Sequence, residues 1–471
     1  MSSSPVPEQN PDLTGDAAEI EALRARLEPL LPEAVEDLKD LVRIPSIAFP
    51  GHDRDPVHRS AEAVAELLRG AGMDSVSIES VGEGAPAVIG RSPAADGRPT
   101  VLLYAHHDVQ PTGDPADWTT PPFEPVEREG RLYGRGAADD KAGVMAHVTA
   151  LRLVGEELAR DGVGVTVFVE GEEEAGSPTF RPFIEAHREA LAADLIVVAD
   201  SANWAVGTPA LTTSLRGVVD VVVEVRALEH AVHSGLFGGP VLDALTQLSR
   251  LLATLHDEHG EVAVEGLVRA PDPAVDMDEA DFRRDAGVPD GHALSGSGPL
   301  TARLWARPAL SVIGIDAPSV RDASNTLVPV ARAKVSLRIP PGESPDAAME
   351  ALVGHLERHA PATAAVSVRR GERGKPYSAS QGSPAMDLAR SAFAASWRTP
   401  AVDTGLGGSI PFIADLLEVF PAAEVLVTGV EDPESRAHGI DESLHLGEFG
   451  RVCLAEALLL RGAGSLGGRP A

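Results

Sequence analysis

His106, His107 and Asp108 follow without a break on the apolar run of residues 101–105. Imidazole and carboxylate groups bind divalent cations, and a nearby carboxylate can fix the ring of a ligating histidine. A second acidic cluster, EGEEEAGS over residues 170–177, follows the apolar strand expected at 162–169. Four glutamates so close repel one another unless a cation sits among them; the bland alternative is a solvated acidic loop. Asp200 ends a third apolar run, residues 195–199. Asp139 and Asp140 stand before a helical pattern at 142–158, a place where carboxylates also serve as ordinary caps. Each junction alone is weak. Three apolar runs that each end in acidic or imidazole groups describe the carboxyl edge of a parallel sheet, where α/β proteins bind ligands.

The elements that must hold these residues follow from periodicity. Residues 16–42 carry apolar positions at helical spacing, with Pro29 and Pro32 marking a break between two helices. A helix over 61–70 and short strands over 75–79 and 87–90 precede the strand at 101–105. Residues 111–123 are rich in Pro, Gly, Asp and Thr and read as a long surface loop. From residue 215 the texture changes. A strand at 218–225 leads into a glycine-rich turn with His230 and His233, then a helix at 241–255 and an irregular acidic stretch at 258–297. Strands at 310–314 and 330–339, a helix at 346–359 and a strand at 364–369 complete a two-layer α+β pattern. After residue 377 come a helix at 386–397, a Gly-Gly-Ser turn, a strand at 423–427, a polar loop with His438 and a last helix at 446–461.

The expected fold class is therefore α/β: a mostly parallel sheet flanked by helices, with a two-layer α+β domain inserted into it. The expected boundaries are 1–214 for the first part of the main domain, 215–376 for the insertion and 377–471 for the second part. Residues 1–15 are expected to form a disordered tail, and the Gly-rich stretch after Arg461 another.

Composition narrows the function. With 71 acidic against 40 basic residues the net charge is −31, which repels phosphate backbones and argues against nucleic acid as a partner. No apolar run approaches the ~20 residues of a membrane span. The N-terminus lacks a basic start followed by an apolar core, and Cys453 is the single cysteine, so a reducing cytoplasm is the expected location.

Taken in order, HHDVQP, GRGAADDKAG, EGEEEAGS, HSGLFGG, GGSIP and AHGIDE resemble the motifs of the co-catalytic zinc exopeptidases. That family includes carnosinases, cytosolic non-specific dipeptidases, carboxypeptidase G and aminoacylase. The forms YAHHDVQP, RGAADDK and RPALSVIGI are most similar to the carnosinase-like dipeptidases. The resemblance implies a zinc-exopeptidase catalytic domain and an inserted lid and dimerisation domain. It implies hydrolysis of dipeptides, with an N-acyl amino acid amidohydrolase or a carboxypeptidase as the alternative within the family. Two divalent metal ions are implied, zinc first, with manganese or cobalt also fitting the ligand set. His106 and Asp200 correspond to ligands of one metal, Glu174 and His438 to ligands of the other, and Asp139 to the bridge between them. A cis peptide bond between Asp139 and Asp140 is implied too.

Glu173 matches the general base, and Asp108 the carboxylate that orients His106. His233 matches the donor to the oxyanion, often supplied across a homodimer. Asn325, Arg338, Gly408 and Ser409 match positions that hold the substrate's C-terminal carboxylate. His107 and His147 read as supporting or core residues. One departure bears on specificity: relatives often carry an arginine and an acidic residue just before GGSIP, whereas this chain has Asp403, Thr404, Gly405 and Leu406 leading into Gly407.

Overall fold

The computed structural model describes residues 14–408 and 411–466. Most of the expected N-terminal tail, residues 1–13, lies outside the described residues, as do Ser409 and residues 467–471. The chain divides into two compact units. The first comprises Met1–Thr213, Ala379–Thr404 and Asp415–Ala471; the second comprises Ser214–Ser378 with Gly405–Ala414.

Eight helices frame the two units: α1 Ala17–Leu27, α2 Leu31–Val42, α3 Asp55–Gly70, α4 Lys141–Asp161, α5 Ala244–Leu252, α6 Pro345–Arg358, α7 Pro384–Trp397 and α8 Leu446–Ala463. The strands needed in the first unit are β1 Ser75–Glu79, β2 Ala87–Ser92, β3 Thr100–His106, β4 Gly164–Glu170, β5 Leu195–Val198 and β6 Ala210–Leu215. Those of the second unit are β7 Gly217–Arg226, β8 Ala309–Asp316, β9 Val330–Ile339 and β10 Ala365–Gly374; β11, Glu424–Val427, returns to the first.

The N-terminal helical region breaks at the prolines. Asp16 and Glu19 form a reciprocal capping box at the start of α1, and Pro32 occupies the first turn of α2, where its missing N–H costs nothing. In the first unit the strand order runs β1-β2-β4-β3-β5-β11-β6. The four central strands β4, β3, β5 and β11 are parallel. The pairs β1–β2, β2–β4 and β11–β6 are antiparallel. The sheet is thus mixed, with its parallel strands at the centre and antiparallel pairs at its margins. Chain length between strands explains the difference. The short link between β1 and β2 permits only a reversal, whereas the long helix α4 carries the chain from β3 back to run parallel as β4.

The central strands are apolar along their length because both faces are covered: every residue of β4 and β5 is buried. Helix α4 is buried on nearly all sides over its first three turns and ends at Gly162, whose φ of 72° is the left-handed conformation that glycine accepts. Among the described residues no helix is long and apolar enough to cross a membrane.

The second unit holds an antiparallel sheet in the order β8-β9-β7-β10. Alternate residues Val219, Val221, Val223 and Val225 of β7 and Val335, Leu337 and Ile339 of β9 share one apolar core with Leu248 and Leu251 of α5 and Leu352 and Leu356 of α6. The intervening positions carry ion pairs, Asp220 with Lys334 at 3.2 Å and Glu224 with Arg332 at 2.7 Å. One face is dry and the other polar, as period-2 alternation requires.

Candidate metal centre

The parallel centre of the first sheet delivers its strand ends to one edge. His106 is the last residue of β3 and is fully buried. Glu173 and Glu174 lie in the turn just past β4, and Asp200 lies just past β5. Donor atoms of His106, Glu173 and Asp200 fall within 4.8 Å of one another, and so do those of His106, Asp139 and Glu174. His438 arrives from the loop after β11. Its Nε2 lies 3.0 Å from Asp139 Oδ2 and 3.2 Å from Glu174 Oε2. Asp139 therefore touches both imidazoles, since His106 Nε2 lies 3.1 Å from its other oxygen. The peptide bond from Asp139 to Asp140 is cis.

Charge in this cluster is badly balanced without a cation. Burial, and then the neighbouring Asp200, hold the Glu173 carboxyl well above the usual carboxylate range. Burial pushes Asp200 up to about 7, with Asp139 and Glu174 adding to it against the pull of His106. Burial also opposes charge on Asp139, but hydrogen bonds from His106 and His438 outweigh it and hold the carboxyl below its ordinary range. The bond to Asp139 first, and then that to Glu174, push His438 up to about 11. Among the described residues no lysine or arginine forms an ion pair with Asp139, Glu173, Glu174 or Asp200. Four carboxylates and two imidazoles that lack a basic partner are the donor set that divalent cations take, so the residues fit such a metal.

The surrounding residues show how the donors are aimed. Nδ1 of His106 lies 3.1 Å from the Asp108 carbonyl and 3.5 Å from its carboxylate, which leaves Nε2 facing the cluster. The Asp108 carboxylate accepts the backbone N–H groups of Glu173 and Glu174, each at 3.1 Å, and so ties the β4 turn to the end of β3. Gln110 donates its amide to Glu174 at 2.7 Å. Asp140 makes no side-chain cap on α4; its carboxylate accepts the His106 N–H at 3.2 Å instead. Glu172 turns away from the cluster and accepts from Ala85 and Thr179. His107 bonds the Pro86 carbonyl at 2.9 Å, and His147 bridges Glu456 and the Tyr104 carbonyl inside the core.

Glu442, a positioning residue absent from the sequence reading, sits in the AHGIDE motif. Its fully buried carboxylate accepts the N–H groups of Gly136, Ala138 and Asp139 at 3.0–3.1 Å and pairs with Arg135 at 2.5 Å. It clamps the Asp139 turn to the His438 loop. The loop itself is sharply bent, with Arg436, His438 and Asp441 all at φ of 55–62°, a conformation that ordinary residues hold only where surrounding contacts impose it. An acidic residue four positions after a motif histidine was the one available signal.

His233, Asn325, Arg338 and Gly408 belong to the second unit. The two-residue strand Val232–His233 pairs with Thr326–Leu327, and Ser234 N–H donates to the Asn325 carbonyl at 2.9 Å, which brings His233 and Asn325 together. His233 Nδ1 accepts the Gly235 N–H at 3.0 Å. The neutral ring then carries its proton on Nε2, a donor. Arg338 stands on β9 between Ala309 and Val218.

A sheet that gathers imidazole and carboxylate donors at the ends of parallel strands defines a class of protein built to hold divalent metal. Within that class, residues 102–461 match the peptidase family M20/M25/M40, and the chain belongs to that family. A cysteinylglycine-S-conjugate dipeptidase of Corynebacterium striatum is 38% identical over 421 residues, covering 88% of this chain and 91% of that one. A beta-Ala-His dipeptidase of Rattus norvegicus is 30% identical over 355 residues, covering 69% and 71%. The crystal structure of human carnosine dipeptidase 1 has the same fold, with a TM-score of 0.75 at 24% identity over 94% of this chain and 98% of that chain. The family read from the motifs is the family found.

Proposed function

We propose that this chain is a metal-dependent dipeptidase that hydrolyses the peptide bond of small dipeptides. The observation that carries the reading is the convergence of the buried His106, Asp139 and Glu174 with the partly buried Asp200 and the more exposed His438 around a carboxylate, Glu173, left over for proton transfer. In this reading two divalent cations, most simply zinc, would be held by His106, Asp200 and Asp139 and by Glu174, His438 and Asp139. Cations in such a cage supply Lewis acidity to a water and to the scissile carbonyl.

The residues of the chain do the rest. Glu173 takes a proton from the attacking water and returns it to the leaving amine. Asp108 keeps His106 and the Glu173–Glu174 turn in register. His233, with Nε2 as donor, stabilises the developing oxyanion. Arg338, Asn325 and the turn of Gly408 and Ser409 hold the substrate's terminal carboxylate, for which the guanidinium fork of arginine is well shaped. The first unit is the catalytic domain, and the second is a lid that also forms a homodimer. Edge strand β8, with Val312, Ile313 and Ile315 exposed, supports that pairing. The lone, buried Cys453 supports a reducing cytoplasmic setting.

The test is hydrolysis of a dipeptide panel and of N-acetyl amino acids by chelated protein, with zinc, manganese or cobalt added back. Metal-restored cleavage of dipeptides is expected. Cleavage of N-acetyl amino acids alone would replace the proposal by the amidohydrolase reading.

A further inference from the structure

Arg216 lies between β6 and β7, is only 8% exposed, and takes no part in the scheme above. Its backbone N–H donates to the Leu406 carbonyl at 3.2 Å, and its Nε donates to the Gly407 carbonyl at 2.9 Å. A Cβ on Gly407 would come within 2.7 Å of Arg216 Nη2, so the guanidinium lies against backbone that has no room for a side chain. Of the two terminal nitrogens, Nη1 is buried and has no hydrogen-bond partner among the described residues. Burial, and then the positive charge of Arg338, push the Arg216 guanidinium down to about 10. The site is therefore short of one acceptor and of negative charge. A buried cation with an unsatisfied N–H is costly, and a small anion would relieve both faults.

We propose that Arg216 is a second cationic contact, beside Arg338, for the free carboxylate at the C-terminal end of the substrate. This rests on the dipeptidase reading and deepens it by assigning selectivity for an unblocked C-terminus to a residue of this chain. A carboxylate offers about four lone-pair positions. Arg216 fills one of them through Nη1 while its Nε keeps the Gly407 carbonyl in place. The residue thus ties the glycine turn that departs from the pattern of relatives to the charge that this turn must present.

The experiment compares alanylglycine with alanylglycinamide, which differ only at the terminal carboxylate. Equilibrium binding is measured on the full-length, metal-loaded Glu173→Gln protein, which blocks turnover, with and without Arg216→Gln. The expected result is a loss of affinity of at least about tenfold for alanylglycine and less than about twofold for the amide, since charged hydrogen bonds distinguish the two. Equal losses for both peptides would make Arg216 a clamp of the glycine turn and overturn the proposal. No loss for either would overturn it, and so would failure of the Arg216-bearing protein to prefer the acid. Should Arg216→Gln not fold, Arg216→Lys serves: a reduced acid-over-amide preference supports the assignment, and an unchanged one refutes it. Wild-type turnover separates the two readings. If the wild type cleaves no dipeptide while the binding preference depends on Arg216, the dipeptidase reading falls and the carboxylate site stands. If it cleaves dipeptides with a preference indifferent to Arg216, the reverse holds.

Discussion

The two units bury their polar groups in opposite ways. In the first, parallel strands β4, β3, β5 and β11 all end at the same edge, and the residues just beyond them are crowded together there. In the second, antiparallel strands divide their ends between two edges. Its residues of functional interest therefore sit in or beside a short two-residue pairing, as His233 and Asn325 do, or on a long strand, as Arg338 does. The first unit buries Arg135, Lys141, Asp108, Asp139 and Glu442, each requiring partners. Lys141, for instance, donates its ammonium to the Leu41 and Ile44 carbonyls, and burial lowers its pKa to about 7. The core of the second unit is valine and leucine, and its ion pairs lie on the other face of the sheet. One unit depends on satisfied polar networks and the other on apolar area.

That contrast can be broken or sharpened by substitution. The largest effect is expected from Glu173→Gln. Turnover should fall by about 10²–10⁴-fold, the usual contribution of a general base, with metal content by elemental analysis unchanged. Metal loss instead would make Glu173 part of the cage. Glu442→Ala should follow. It leaves Arg135 buried and unpaired together with three backbone N–H groups, so urea denaturation should report a loss of about 3–5 kcal/mol. A loss below about 1 kcal/mol would mean that the polar network does not hold the first unit together.

Leu352→Ala opens a void in the fully buried apolar core of the second unit and should cost about 2–4 kcal/mol by the same measurement. Metal content should not change; if it fell, the division between the two cores would be less clean than drawn. The smallest effect is expected from Arg332→Ala. Its ion pair with Glu224 has side chains 48% and 24% exposed, and Glu224 keeps a second partner in Arg226, so less than about 1 kcal/mol should be lost. A larger loss would show that the polar face matters to stability as well.

Much of this was legible in the chain. The apolar runs ending in His106, Asp200 and the glutamate cluster declared strand ends, because fully buried strands must be apolar and polar groups must begin where they stop. The break at Pro29 and Pro32 separated two helices, since proline does not continue a helix already formed. The alternation of Val335, Leu337 and Ile339 announced a half-covered sheet. Other features were not legible. Antiparallel pairing at both margins of the first sheet depends on which strands become neighbours, and apolar content does not encode that. Glu442 and Arg216 act through partners far along the chain, 306 residues away for the bond from Gly136 and 191 for the bond to Gly407.

The sequence by itself determined the kinds of element, the places where donors stand at strand ends and, through six ordered motifs, the family. Tertiary structure decided which of two adjacent donors faces the cluster. His106 enters it while His107 bonds Pro86; Glu173 and Glu174 enter it while Glu172 turns to Thr179; Asp139 bridges the imidazoles while Asp140 holds a backbone N–H. Neighbouring residues at a strand end or turn have the same chemistry but point in different directions, and only the partners brought up by distant segments select between them.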